Sequence, residues 1–114
     1  MRIAHLILSE GFAGSERSTA ESCNFQCRDH EVLLVVRRGC RSRAGASIID
    51  HLDPRVRVAV VPDRIGTRAR LARELAMFGP DVVHAHLRRA TRLLAQIRPD
   101  AALCEGDAVD GPGW

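Results

Sequence analysis

The residues best placed to do chemistry fall in two short stretches. The first, Ser9-Glu10-Gly11-Phe12-Ala13-Gly14-Ser15-Glu16, follows an apolar run and precedes a helical pattern. Glycines in a strand-to-helix turn let a ligand approach the backbone, and the helix start behind them offers free N–H groups and a positive dipole end to an anion. Gly11, Gly14, Ser15 and Glu16 are therefore candidates for a phosphate-facing loop, although the same glycines suit a tight turn that binds nothing. The second stretch is His84-Ala85-His86. Residues two apart on a strand share a face; His86, nearer the carboxyl end, is expected at a cleft and His84 in the core. A zinc centre needs two further ligands, none is evident, and no metal or other cofactor is expected. Cys23 and Cys27, one helical turn apart, read as small buried hydrophobes rather than ligands or nucleophiles.

Two phosphate-binding motifs can be weighed directly. A P-loop is excluded because the chain contains no lysine. A nicotinamide site would want G-x-G-x-x-G after the first strand and an acidic residue at the end of the second. Here the first position has G-x-x-G and the second has Arg37-Arg38, so an NADP-type site, with arginines on a 2′-phosphate, stays open as an alternative.

Apolar runs too short for helices alternate with amphipathic segments, the pattern of β-α-β units around a parallel sheet. Strands are expected at Ile3 to Leu8, Val32 to Val36, Val56 to Val61 and Asp81 to His86, with a short fifth at Ala101 to Cys104. Helices are expected from about Glu16 to Cys27, or a turn later because Ser18 and Glu21 have capping-box spacing. Further helices are expected at Ser47 to Leu52, Thr67 to Phe78 and Arg88 to Ile97. Leu71, Leu75 and Phe78 form one stripe of the third helix, and Ala90, Leu93, Leu94 and Ile97 one stripe of the fourth. The fold class is then α/β, a three-layer Rossmann-like domain with a parallel sheet of four or five strands over residues 1–104. Residues 105–114, acidic and glycine-rich, read as an irregular tail.

The chain has 114 residues, 46% of them hydrophobic and 27% charged, which fits one domain. All 17 basic residues are arginine and the net charge is +3, so anionic partners are favoured. Arg64, Arg68, Arg70 and Arg73 cluster on one segment and Arg88, Arg89 and Arg92 on another, candidates for contact with an anionic membrane surface, unless they are simply solvated helix faces. Nucleic acid is not expected as a partner, because stacking residues are scarce: one Trp, three Phe and no Tyr. The absence of C-x-x-C spacing and of a signal-peptide pattern predicts a reduced, cytoplasmic chain, with any membrane contact peripheral.

Taken together, three segments resemble the N-terminal half of a family 4 glycosyltransferase of the B fold. They are the opening RIAHLILSEGFAGSE, the second strand HEVLLVV (His30 to Val36) and the fourth strand PDVVHAH (Pro80 to His86); in the expected order they span about residues 1–100. The resemblance implies an acceptor-side domain of an enzyme that moves a sugar from a nucleotide sugar to a glycan or lipid acceptor. It gives the cleft loop to Gly11, Gly14, Ser15 and Glu16, whose backbone N–H groups would approach the donor diphosphate, and puts His86 on the acceptor side. It also implies a missing donor half: the family's pair of glutamates eight apart does not occur, and neither does its loop histidine after the fifth strand. The chain is therefore expected to be inactive alone and to need a complementary donor-domain chain. The contrasting expectation is a non-catalytic binding module, or a remnant keeping only the fold. An unfinished sheet edge would favour a homodimer.

Overall fold

In the computed structural model, residues 1–97 and the backbone of the strand Ala102–Cys104 are described. The chain runs β1 (Arg2–Ile7), α1 (Gly14–Gln26), β2 (Glu31–Arg37), a 3₁₀ turn (Ile48–His51), β3 (Arg57–Val61), α2 (Thr67–Phe78), β4 (Val82–His86), α3 (Leu87–Ile97) and β5 (Ala102–Cys104). The five strands form one all-parallel sheet in the order β3-β2-β1-β4-β5. The expected α/β Rossmann-like fold is thus present, with the first strand central and the second and fourth beside it. The tail 105–114 lies outside the described residues.

The alternation of side chains along each strand divides the core in two. Even-numbered residues of β1 (Ala4, Leu6) join Leu33, Val35, Ala59, Val61, Val83 and Ala85 on the face covered by α2 and α3, whose Leu71, Leu75, Phe78, Ala90 and Leu94 are buried there. Leu93 and Ile97 pack against the same cluster, so the stripes read from 3.6-residue spacing are the buried ones. On the other face Ile7, Val32, Leu34 and Val36 meet Ala20 and Cys23 of α1, Cys27 just after it, and Ile48 of the 3₁₀ turn. Burial on both faces explains why β2 is apolar from Val32 to Val36 and β1 is apolar after Arg2 except at His5. Cys23 sits fully inside this layer, where burial pushes its thiol up to about 12, so it stays protonated as expected for a packing residue.

Helix boundaries follow their caps. Glu16, at the third position of α1, accepts from the Ala13 N–H at 2.8 Å, so the helix starts at Gly14 and not a turn later. Ser47 caps the 3₁₀ turn through Ile49 N–H. α2 begins and ends on glycines in the left-handed region, Gly66 (φ 83°) and Gly79 (φ 63°). The start of β1 is fastened to the start of β4, with Arg2 N–H donating to the Asp81 carboxylate at 2.8 Å and Asp81 N–H to the Arg2 carbonyl at 2.7 Å.

Candidate functional site

Strand order places a topological switch between β1 and β4: from β1 the chain builds outward to β2 and β3, then returns to β4 on the other side. In open parallel sheets the carboxyl ends of such strands flank the ligand crevice. Here β1 delivers the Ser9–Ala13 turn and the start of α1 to that crevice, while β4 delivers His86 and the start of α3.

The four loop candidates take different roles. Gly11 has φ +82°, and its N–H is consumed by the Cys40 carbonyl at 2.8 Å, while a parallel bridge links it to Ser47. The expectation that its N–H faces a ligand is corrected: this glycine makes the turn and ties it to the following loop. Gly14 is exposed, its backbone lies outside the left-handed region, and a methyl group placed on it would touch nothing within 4 Å. Its backbone is open to a ligand. Ala13 has φ −116°, so the alanine at this position carries no strain. Glu16 is buried; one carboxylate oxygen accepts from Ala13 N–H at 2.8 Å and the other from Ser9 Oγ at 2.7 Å. It shapes the turn from inside. Ser15 is half-buried at the helix start, and its carbonyl accepts from Thr19 Oγ1 at 2.8 Å. Ala13 offers no side-chain oxygen, so the first N–H groups of α1 carry no side-chain cap.

The histidines reverse the expected burial. His86 is buried and His84 only half-buried. The register, with His5 on β1 beside His84 and Ile7 beside His86, brings all three rings to the α1 face of the two strands, and a hydrogen bond to the fully buried His5 holds the His86 ring inside. The rings form a triangle, with centroids 5.5 Å apart for His5 and His84, 5.2 Å for His5 and His86 and 4.0 Å for His84 and His86. His5 Nδ1 is 2.9 Å from His86 Nε2, and His5 Nε2 is 2.6 Å from Oε1 of Gln26, the last residue of α1. An amide oxygen only accepts, so the network assigns the His5 proton to Nε2 and makes His86 Nε2–H the donor to His5 Nδ1. Burial pushes His5 down to about 4 against the opposing Gln26 hydrogen bond, and burial followed by His84 and His5 pushes His86 down to about 3. Both imidazoles are therefore neutral at neutral pH. Sequence reading missed His5 because its partners lie 81 and 21 residues away.

Directly after His86 comes Leu87, the only non-glycine at positive φ (69°) among the described residues. The left-handed backbone lets α3 start with no intervening loop and turns the Leu87 side chain back onto the α1-face cluster.

The arginines fall into separate environments. Arg64 lines a groove of about 670 Å³ with Asp63, Arg88, Arg89 and Arg92, bringing one residue of the first cluster to three of the second. Arg89 donates to the Asp63 carbonyl. Arg70 is elsewhere, paired with Glu74 at 2.9 Å, and Arg68 and Arg73 are exposed. Arg37, a candidate for a 2′-phosphate, is instead held by Asp63 at 3.0 Å and approached by Glu10 at 3.7 Å. The Gly39 N–H and the Arg37 guanidinium hold the Asp63 carboxyl below its ordinary range. No described helix is long and apolar enough to cross a membrane. Comparison with protein-family models finds none that matches the chain, and no curated protein matches it either.

Proposed function

We propose that this chain is the acceptor-side, Rossmann-like half of a family 4-like glycosyltransferase of the B fold, acting on a nucleotide sugar and a glycan or lipid acceptor with a complementary donor domain. The observation that supports this most is the uncapped start of α1 at the β1–β4 switch: Gly14 is open to solvent, and buried Glu16 shapes the turn from behind. Backbone N–H groups so arranged stabilise the negative charge that develops on a departing diphosphate. In this reading the further positive groups that hold the departing diphosphate come from the donor domain.

A ¹⁵N-resolved titration with a nucleoside diphosphate tests this. Weak binding, about millimolar, is expected, with shifts concentrated on Gly14, Ser15 and Glu16 and no sugar transfer by the isolated chain. A second reading, a non-catalytic anion-binding module, is favoured by the groove that collects Arg64, Arg88, Arg89 and Arg92. Shifts confined to those arginines would select it, and sub-micromolar binding of any nucleotide sugar would rule out the half-enzyme reading.

A further inference from the structure

Three of the five histidines in the chain converge on one spot. One ligand-competent nitrogen from each of His5, His84 and His86 lies within 4.8 Å of the others. We propose that these imidazoles form a binding site for a divalent transition metal of the zinc class, bridging β1 and β4 and leaving a fourth coordination position open on the His84 side.

The chemistry of the donors fits such an ion. Imidazole suits zinc, copper and nickel, and three imidazoles with one open position is a known zinc arrangement. His5 Nδ1 and His86 Nε2 already stand 2.9 Å apart with a single proton between them. Zn–N bonds of about 2.0–2.1 Å in a tetrahedral shell place ligand nitrogens slightly farther apart than that, so a small opening of the pair admits the ion. The proton on His86 Nε2 passes to Nδ1 of the same ring, and the charge of the ligands is unchanged. Gln26 supplies the outer support that metal-bound histidines generally have: its Oε1 holds His5 Nε2–H at 2.6 Å, which fixes the tautomer and aims Nδ1 inward. Rigid elements carry all the parts, two adjacent parallel strands and the last turn of α1, so the ligands are brought together by the sheet register itself. His84, half-buried, gives the ion and a fourth ligand a route in from solvent.

Zinc titration of the whole chain by calorimetry, with X-ray absorption of the loaded protein, tests the site. Saturable uptake of one equivalent with a dissociation constant of about 1 μM or tighter is expected, in a nitrogen and oxygen shell. His84→Ala should weaken binding at least tenfold, and Gln26→Ala by about tenfold, as loss of outer-shell support does. His30→Ala and His51→Ala should leave it unchanged. Imidazole ¹⁵N spectra of the wild type supply a readout independent of any variant: zinc should move the signals of His5, His84 and His86 and leave those of His30 and His51 in place. Absence of saturable binding at millimolar zinc, sulfur in the metal shell, or wild-type affinity in His84→Ala would each overturn the proposal.

Discussion

Acid should loosen this fold well before its carboxylates titrate. His5 and His86 titrate near 4 and 3 in the folded chain, against an ordinary 6.5 once unfolded. Between those values the unfolded chain binds more protons, so stability falls as pH falls from about 6.5 toward 4. At about pH 5 the unfolded form gains about 2 kcal/mol from each ring relative to pH 7, or about 4 kcal/mol together. A small domain holds about 5–15 kcal/mol in all. The groups packed on the pair, His84 and the neutral Gln26 amide, supply no negative charge to oppose the effect. Asp53, held down to about 2 chiefly by its hydrogen bonds with Arg55, and Glu31, Asp50 and Asp63, also lowered, give stability that is lost as pH falls through their ordinary values of 4.5 for Glu and 3.8 for Asp and below, so the range from pH 7 to 5 reports mainly the two histidines. Urea unfolding with a chelator present, at about pH 7, 6 and 5, measures the slope, and His86→Gln should remove about half of it. A wild-type stability unchanged from pH 7 to 5 would refute the assignment of two buried neutral rings.

Other outcomes are equally concrete. Glu16→Ala should cost about 1–3 kcal/mol in urea unfolding, because the Ser9 hydroxyl and the Ala13 N–H lose their shared acceptor. Vesicles containing anionic lipid should retain the chain better than neutral ones, with salt weakening the retention and Arg64→Ala/Arg88→Ala reducing it; equal binding to both would leave the arginines as solvated side chains. Val58 and Val60 are exposed on the edge strand β3, so light scattering should rise with concentration and fall on Val60→Lys; a monomer across the series would mean that the edge is protected.

What sequence could reveal here depended on the range of the interaction. Apolar run length and 3.6-residue spacing located α2 at its observed bounds, because Leu71, Leu75 and Phe78 pack on one face and Gly79 closes the helix. β1, β2 and α3 shifted by only a residue or two, as element ends depend on local capping. The loop candidates around Gly11 to Glu16 were visible as glycines, yet the Cys40 carbonyl that takes the Gly11 N–H lies in another loop and left no local signal. His5 shows the same limit: in the sequence it is a lone polar residue in the apolar run Ile3 to Leu8, and only the register between β1 and β4 reveals its partners. The reversed burial of His84 and His86 has the same origin.

The strand order also sets a timetable for synthesis. β1 leaves the ribosome first and sits in the middle of the sheet, but β4, which completes its other side and clasps Arg2 through Asp81, is made about 80 residues later. At about 5–20 residues per second that is a delay of about 4–16 s. β2 and β3 are available sooner, so a β3-β2-β1 ribbon covered by α1 can assemble while the opposite face of β1, with Ala4, Leu6 and Leu8, still lacks α2 and α3. The nascent chain thus carries a central strand paired on one edge only for several seconds, and a chaperone that recognises exposed apolar segments has its binding window then.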